Sequence, residues 1–307
     1  MGLDLFKLRV FVTVVDRQGY SAAATHLGLS QATVSFHVHG LERQLGTSLV
    51  RYEHREIRLT PAGDQVYRQA VRMLRDERQL LRSIRTGREG HVSLGASIAF
   101  EQPFFFEQVL VPYRQAHPGV LASVRFGPSL RLAEQVLDHR LDLAYAIGWQ
   151  VPSGVRFEPL HDAEFVMLVA RTHPLARRET VTVEEVSRVG LITAPLNDVE
   201  WVHYENVLRK VGLGVADARL EVEGMQARVL AARAGMGVLG MFRPPYAPPD
   251  NETLHPLRID RPAPVVQVGL VHRRGERPAP AVRDLADRIR AVSSARVRDA
   301  HCPQGKR

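Results

Sequence analysis

Two neighbouring stretches of this sequence carry side chains of the kinds that contact nucleic acid. Within residues 30–35 a carboxamide, Gln31, stands among three hydroxyl-bearing residues. A glutamine can make paired hydrogen bonds to adenine, and hydroxyl groups reach base edges or phosphate oxygens. Further on, Arg51, Arg55 and Arg58 supply positive charge for phosphates, which positions a protein on a duplex without reading its sequence. The two stretches together favour a DNA interface.

Other motifs that could do chemistry do not stand in the context they need. Residues 235–240 match a dinucleotide-binding glycine pattern, but they follow a predicted helix and lead into a predicted strand, which reverses the required order. His37 and His39 are two residues apart on a predicted helix, so they point to different faces and form no metal site. The single cysteine, Cys302, has no candidate base beside it. We expect no catalytic residue, no metal and no cofactor.

A predicted helix-turn-helix positions Gln31. The pattern predicts a first helix over residues 3–17, a short second helix over 22–27 capped by Ser21, and a third helix over 31–45 capped by Ser30. In the third helix an apolar stripe faces inward, so the opposite face is exposed, and the N-terminal part of such a helix enters the major groove. We predict DNA contacts from these two caps and that face: Ser21, Ser30, Gln31, Ala32, Thr33, Ser35, Phe36, His39 and Arg43. For Phe36, a contact to another domain is an equally good interpretation.

A hairpin and a long helix are predicted next. Residues 48–52 and 57–60 favour strands, and a hairpin between them would form a wing that carries Arg51, Arg55 and Arg58. We expect Gln31→Ala to lose sequence discrimination and Arg55→Ala to weaken binding to all DNA alike. Pro61 opens a helix predicted to reach residue 88.

That long helix carries one apolar stripe with coiled-coil spacing, formed by Val66, Ala70, Met73, Leu80 and Ile84. Charged residues occupy the rest of its surface. This pattern favours a helix that joins two copies in a homodimer. The alternative is a helix packed on its own domain.

The charge is uneven along the chain. The net charge is +5 over residues 1–90, −3 over 91–270 and +6 over 271–307. A basic terminal module fits a polyanionic partner, although basic surfaces also occur without one. The early apolar run of residues 10–15 is too short for a secretion signal or a membrane span, so we expect no membrane association and a cytoplasmic protein. A length of 307 residues predicts about two domains.

After Gly87 and Gly90 the pattern changes to strands alternating with helices. Such alternation predicts an α/β region with largely parallel sheets, closed by a helix over residues 281–292 and a frayed basic tail. The predicted strands are His91–Ala96, Val120–Phe126, Leu141–Ile147, Phe165–Ala170, Leu191–Thr193, Arg219–Val222, Val238–Met241 and Val265–Val271.

The N-terminal residues resemble those of the LysR-type transcriptional regulators. The resemblance rests on residues 20–35, on Leu41-Glu42 and Leu45-Gly46 at the family spacing, and on residues 58–63, which read Arg-Leu-Thr-Pro-Ala-Gly. Phe36 and Tyr52 stand where the family commonly has arginine. Further segments in the second half also fit: Val92–Ser97, Tyr113–Val120, Leu141–Ala144, His173–Ala176 and Ala234–Val238.

The resemblance implies a multi-domain α/β protein and a sequence-specific regulator of transcription. Its parts would be a winged helix-turn-helix over residues 1–60, a linker helix over 61–90, a two-lobed effector domain over 91–295 that is similar to periplasmic binding proteins, and a tail over 296–307. The lobes would comprise 91–162 with 266–295, and 163–265. It also implies double-stranded DNA and a small-molecule effector as partners, and tetramers built from dimers.

Ligands in such sheets bind at strand carboxyl ends and helix N-termini. This rule predicts the following effector-binding residues: Ser97, Ile98, Ser129, Ile147, Gly148, Ala194, Asn197, Met225 and Phe242. Because helix N-termini favour anions, a small carboxylate is the expected effector. A second class remains open, a solute-binding or catalytic α/β protein with an incidental N-terminal helical module.

Overall fold

The computed structural model describes residues 2–53, 56–86, 90–100, 103–149, 151–196, 201–243 and 253–300. The chain divides into two compact units, one formed by Met1–His91 with Leu137–Arg140, the other by Val92–Val136 with Leu141–Arg307. No helix among the described residues is long and apolar enough to cross a membrane. Arg55, Asn197 and Cys302, which the sequence analysis singled out, lie outside the described residues.

The first unit is a helix-turn-helix with a wing and a long helix. Its core is formed by apolar residues that repeat at helical spacing and are fully buried, among them Phe11, Val34, Val38 and Leu41. Its elements are α1 (Leu5–Asp16), α2 (Tyr20–Leu27), α3 (Gln31–Leu45), β1 (Val50–Glu53), β2 (Glu56–Leu59) and α4 (Pro61–Thr86).

Local capping residues set the ends of α2 and α3. The Ser30 hydroxyl accepts a hydrogen bond from the Thr33 backbone N–H at 3.1 Å, which starts α3 as predicted. Gly46 ends α3 in the left-handed conformation with φ of 69°. The predicted cap at Ser21 is wrong, because α2 begins two residues earlier than predicted, at Tyr20, and Gly19 precedes it as the N-cap.

The long helix α4 has two different halves. In its first half Ala70 and Val71 are buried and Val66 packs against the core of the first unit, and Leu74 at the start of the second half is buried as well. The first half therefore packs on its own unit, which is the alternative that the sequence pattern left open for this helix. The exposed apolar side chains lie in the second half of α4 and just before it: Met73, Leu80, Leu81 and Ile84.

The second unit is built around one sheet. Its helices are α5 (Pro103–Phe105), α6 (Val111–Ala116), α7 (Ser129–Leu137), α8 (Val183–Val189), α9 (Trp201–Lys210), α10 (Met225–Arg233) and α11 (Pro280–Ala300). A π-helical turn, Phe106–Leu110, joins α5 to α6. The strands are β3 (Gly90–Ser97), β4 (Val120–Gly127), β5 (Leu143–Ile147), β6 (Val155–Ala170), β7 (Leu191–Thr193), β8 (Ala218–Glu221), β9 (Val238–Arg243), β10 (Leu254–Leu257) and β11 (Val265–Arg273).

Two strands cross the middle of this sheet. The strand order is β4-β3-β5-β11-β6-β9-β7-β8, with β10 also paired to β6. The pairs β3–β5, β7–β8 and β7–β9 are parallel, whereas β11 and β6 pair antiparallel with each other and with their outer neighbours. The predicted largely parallel sheet is therefore only partly right, because it did not foresee the two crossing strands.

The crossing strands divide the second unit into two lobes. We call β3, β4 and β5 with their helices the first lobe, and β7, β8, β9 and β10 with theirs the second lobe. The predicted boundary at residues 162 and 163 falls inside β6, and the boundary at 265 and 266 falls at the start of β11. The helix α11 runs to Ala300, so the tail predicted to begin at residue 296 starts as helix.

Candidate DNA-reading surface and ligand cavity

The exposed face of α3 carries most of the residues predicted to touch DNA. Gln31, Ala32, His39 and Arg43 are exposed, and Phe36 is 64% exposed. Ser35 and Thr33 are half-buried. The buried side of the helix holds Val34, Val38 and Leu41, so the remaining face is fixed by core packing.

A hydrogen bond between helices orients the carboxamide of Gln31. The Ser21 hydroxyl on α2 donates to Gln31 Oε1 at 2.9 Å. Because a carboxamide oxygen has two lone pairs, this bond leaves Oε1 able to accept a second hydrogen bond, such as one from an adenine amino group. Ser21 is thus a positioning residue for Gln31.

The predicted contacts from Ser30 and Thr33 compete with helix capping. Ser30 Oγ lies 2.8 Å from Thr33 Oγ1, and it also accepts the Thr33 backbone N–H. These two hydroxyls therefore serve the start of α3. His39 Nδ1 lies 3.0 Å from Glu42 Oε2, which holds the imidazole against its own helix.

Phe36 belongs to an exposed aromatic group. Its ring meets His37 edge-on with centroids 5.6 Å apart, and His37 meets Phe6 of α1 in the same way at 5.0 Å. Both phenyl rings are exposed. The group therefore presents an apolar surface on the exposed face of α3, and an apolar surface of this kind is able to touch a thymine methyl group.

The wing places two arginines opposite each other. In the β1–β2 hairpin Arg51 pairs with Arg58 in the Cα register, and both are exposed. The two side chains lie on the same side of the hairpin and bring two positive charges together at its surface. This arrangement suits a phosphate group.

Three residues fix the wing to α3 and α4. Glu42 Oε1 accepts from the Leu49 backbone N–H at 2.8 Å, and Thr60 Oγ1 donates to the Ser48 carbonyl at 2.7 Å. At Gly63 an added Cβ would lie 1.9 Å from the Leu49 carbonyl oxygen, so only glycine fits there. Sequence reasoning recognised these residues only as motif members and missed their positioning roles.

The second unit contains a cavity of about 270 Å³ between its two lobes. It lies where β3, β5 and β9 end and where α7, α9 and α10 begin. Strand ends and helix starts meet at such a point because the sheet order reverses around the crossing strands. Six predicted effector residues line this cavity: Ser97, Ile98, Ile147, Ala194, Met225 and Phe242.

Ser129 and Gly148 are not among the lining residues. Ser129 is buried, and its hydroxyl accepts the Ile147 backbone N–H at 3.2 Å, so it secures the end of β5. At Gly148 an added Cβ would lie 2.5 Å from the Phe157 ring, which accounts for the glycine by packing alone. Both residues therefore have structural roles, and their contact with a ligand stays a prediction.

Aromatic side chains that the sequence analysis did not select form much of the cavity wall. Trp149 follows β5 in the first lobe, and its ring stacks on His203 of α9 in the second lobe with centroids 5.2 Å apart. The edge of Trp149 meets Phe242 at 5.9 Å, and Trp201 packs on Tyr204 at 5.6 Å. Rings from both lobes therefore enclose the cavity.

Three polar groups stand in this apolar wall. Arg228 is 5% exposed, and its Nε lies 3.4 Å from the Gly224 carbonyl oxygen. Trp149 Nε1 is buried and has no hydrogen-bond acceptor among the described residues. The Tyr204 hydroxyl donates to the Gly240 carbonyl at 3.0 Å. Burial raises the pKa of Tyr204 to about 12, and the nearby charge of Arg228 opposes part of that rise.

A weak sequence signal existed for some of the missed residues. Trp149 stands two residues after a strong apolar strand, and Arg228 lies one turn into a helix whose start was predicted to face ligand. The aromatic residues of α9 gave no such signal, because their pattern is equally typical of core. Among the described residues no group of three His, Cys, Asp or Glu side chains is arranged to hold a metal ion. The glycine pattern at residues 235–240 begins after α10 and runs into β9, the order that the sequence analysis predicted.

Protein-family models match segments of both units. Residues 5–64 match the family model for the bacterial regulatory helix-turn-helix protein, lysR family, and residues 85–294 match that for the LysR substrate binding domain. A probable hydrogen peroxide-inducible genes activator of Mycobacterium avium is 26% identical over 294 residues, covering 94% of each chain.

Solved structures show the same fold. A full-length OxyR variant from Pseudomonas aeruginosa has a TM-score of 0.62 at 20% identity, covering 94% of this chain and 95% of that one. Full-length CbnR in complex with its target DNA has a TM-score of 0.56 at 18% identity, covering 94% of this chain and 100% of that one. The predicted fold class is confirmed. The chain therefore belongs to the LysR family of DNA-binding transcriptional regulators, with an N-terminal helix-turn-helix domain and a C-terminal effector-binding domain.

Proposed function

We propose that this regulator reads one operator through the exposed face of α3, and that a small molecule held between the two lobes of the second unit controls its activity. The observation that carries the first part is the orientation of Gln31 by Ser21 on an otherwise exposed helix face. A pre-oriented carboxamide is suited to paired hydrogen bonds with adenine.

Base and backbone contacts divide between α3 and the wing. Gln31, Ser35 and Phe36 face the bases, with Ala32 beside them, while Arg51 and Arg58 bind phosphates. The wing arginines contribute affinity without sequence information. Arg55 was predicted to share their role and remains part of the proposal from sequence alone.

The cavity is the effector site in this proposal. Its position between the lobes, its aromatic wall and its few polar groups are the features that pockets for small molecules usually combine. A small carboxylate remains the expected class, because α7 and α10 both begin at the cavity and helix N-termini favour negative charge.

Self-association through α4 completes the proposal. Leu80 and Ile84 are 60% and 72% exposed, which is unusual for large apolar side chains on a helix unless a partner covers them. A homodimer through this stripe would read two half-sites of a palindromic operator, and pairs of dimers would form tetramers. Such a regulator acts in the cytoplasm, where bacterial DNA lies.

The M. avium relative is named for induction by hydrogen peroxide. A switch between two thiols and a disulfide needs two cysteines in one chain, and this chain contains one, Cys302. The cavity is therefore the better candidate for signal recognition.

The decisive experiment compares Gln31→Ala with Arg58→Ala. A binding site is first selected from a random duplex library with the full chain, and affinities for this site and for scrambled DNA are then measured at several salt concentrations. We expect Gln31→Ala to lose about 1–3 kcal/mol of discrimination, and Arg58→Ala to weaken both duplexes alike while lowering the salt slope by about 1.

Two matched variants control for general damage. Gln69→Ala changes an exposed glutamine of α4, and Arg209→Ala changes an exposed arginine of the second unit. Both should bind like the unaltered protein. Equal losses on selected and scrambled DNA for Gln31→Ala would contradict the reading role of α3.

A further inference from the structure

The cavity between the lobes combines aromatic walls with one buried positive charge. Trp149, Trp201 and Phe242 supply ring surface from both lobes, and Arg228 is the buried cation among the lining residues. A buried guanidinium attracts an anion more strongly than an exposed one, because water screens its charge less. The guanidinium has five N–H donors in a planar fork, a shape that matches a carboxylate.

The indole N–H of Trp149 indicates a second feature of the ligand, a hydrogen-bond acceptor. Trp149 Nε1 is buried, and no acceptor lies within hydrogen-bond distance among the described residues. A buried donor without an acceptor costs free energy that an acceptor on a ligand would recover. One face of the same indole is covered by His203, so the ring is held in place across the gap between the lobes.

We propose that this cavity binds an aromatic monocarboxylate, whose ring packs against Trp149, Trp201 and Phe242 and whose carboxylate binds Arg228. The proposal deepens the proposed function and rests on it, since it names the effector class of the same site. A volume of about 270 Å³ lies just below the usual range of ligand pockets, which suits a small ligand of one or two rings.

An acidic side chain in the cavity wall raises the alternative that the ligand is a zwitterion. Glu223 also lines the cavity, and it would attract the ammonium group of an aromatic amino acid. However, Glu223 is exposed whereas Arg228 is buried, so water screens the acid more and the cation governs selection. We therefore expect an aromatic acid without an amino group to bind better than its amino-acid counterpart.

The chain contains a natural reporter for this experiment. It has two tryptophans, Trp149 and Trp201, and both line the cavity. Tryptophan fluorescence of the full chain therefore reports on the cavity itself. The probes are phenylacetate and 3-phenylpropanoate as aromatic acids, phenylacetamide as the neutral counterpart, hexanoate as an acid without a ring, and L-phenylalanine as the zwitterion. Isothermal titration calorimetry gives each dissociation constant.

We expect a saturable fluorescence change with an aromatic acid and a dissociation constant of about 1 mM or below. Phenylacetamide, hexanoate and L-phenylalanine should each bind at least about tenfold more weakly, because each lacks one required feature or adds an unsuited charge. Equal binding of phenylacetate and phenylacetamide, or tighter binding of hexanoate, would overturn the proposal. No saturable binding by either aromatic acid would overturn it as well.

Substitutions of Arg228 test whether this residue binds the carboxylate of the ligand. Arg228→Met should weaken aromatic acids at least about tenfold while leaving phenylacetamide unchanged. Arg233→Met, which changes an exposed arginine of the same helix, is the matched control. Should Arg228→Met not fold, as judged by circular dichroism, Arg228→Lys keeps the charge without the planar fork, and a loss of at least about threefold is then expected. Unchanged acid binding in a folded Arg228 variant would refute the assignment.

The test of the ligand class can fail without failure of the proposed function, because the two depend on different measurements. Operator binding by the full chain is measured without any probe, so it succeeds or fails independently of the aromatic acids. Operator binding combined with failure of every aromatic acid would reject only the ligand class. Loss of operator recognition in the unaltered protein would reject the proposed function instead.

Discussion

At the scale of single residues, side chains of one element hold groups of another element in place by hydrogen bonds. Gln31 is oriented by Ser21, Leu49 is tied to α3 by Glu42, and His161 is tied to Tyr145. The hydroxyl of Tyr145 on β5 donates to His161 Nε2 at 2.6 Å, and His161 Nδ1 lies 2.8 Å from the Asp162 carbonyl oxygen. Each of these bonds fixes a side chain or a strand in its place in the fold.

His161 makes the second unit sensitive to acid. Burial lowers the pKa of this histidine in the folded protein, whereas the unfolded chain binds a proton at its ordinary pKa of about 6.5. Between these two values the unfolded state carries more protons, so the free energy of unfolding falls as the pH falls below about 6.5. We expect His161→Gln to flatten this fall, because glutamine can still accept from Tyr145 and does not titrate.

Urea unfolding at pH 5 to 8, followed by tryptophan fluorescence, measures this effect in the second unit, where both tryptophans lie. His255→Gln, a histidine on the strand β10, is the comparison. A fall in stability with acid that is just as steep in His161→Gln as in the unaltered chain would show that other groups govern it.

At the scale of elements, α4 shows how one apolar pattern can serve two purposes. Its first half buries Ala70 and Val71 in the core of its own unit, and its second half leaves Leu80 and Ile84 exposed. A repeat read from the sequence does not reveal which turns a neighbouring helix covers. The packing of α1 against α4 decides that question.

Ile84→Glu should weaken self-association at least about tenfold, because it places a charge in an apolar interface. Sedimentation of the full chain over a range of concentrations measures the change. Gln69→Glu adds the same charge at an exposed position in the first half of α4 and should leave the dimer intact. Equal association of the two variants would place the interface elsewhere.

The strand β10 is an element that the sequence analysis did not predict. It contains Pro256, and proline is read as a break in strands because it cannot donate to a sheet ladder. In the fold β10 pairs with β6 off the main strand order, at a position where a missing donor is tolerated. Likewise β6 begins at Val155, well before its predicted start at Phe165. Its first half contains Pro159 and has no regular alternation of apolar residues, so the sequence pattern did not predict it as a strand.

At the scale of the whole molecule, the chain joins a DNA-reading unit to a unit that holds a cavity. If a ligand alters the affinity for the operator, the operator must alter the affinity for the ligand by the same factor, since both report one coupling free energy. We expect a factor of about 5–150 for an aromatic acid that binds the cavity.

The measurement titrates such an acid with and without a saturating operator duplex, and the operator with and without saturating acid. Scrambled DNA is the control and should alter acid affinity less. Two unequal factors would reveal a further linked process such as a change in assembly. A factor of one in both directions would show that cavity and operator are not coupled.

The sequence alone determined the elements whose patterns are local. The third helix over residues 31–45, its cap at Ser30, the helix before Gly235 and the strand after it all follow from periodicity and from residues with fixed backbone preferences, and each is found where the pattern predicts it. The exposed face of α3 follows too, because a helix that buries Val34, Val38 and Leu41 can expose only its other side.

Tertiary structure decided what depends on contacts between distant residues. Only the fold brings Trp149, Trp201 and Arg228 to one cavity, since they come from three segments that lie far apart along the chain. It also pairs the Ser129 hydroxyl with the Ile147 backbone N–H, and it buries Ala70 of α4 while leaving Ile84 exposed. Local pattern fixes which face of an element is apolar, but the neighbour that covers this face is chosen by the packing of the whole chain.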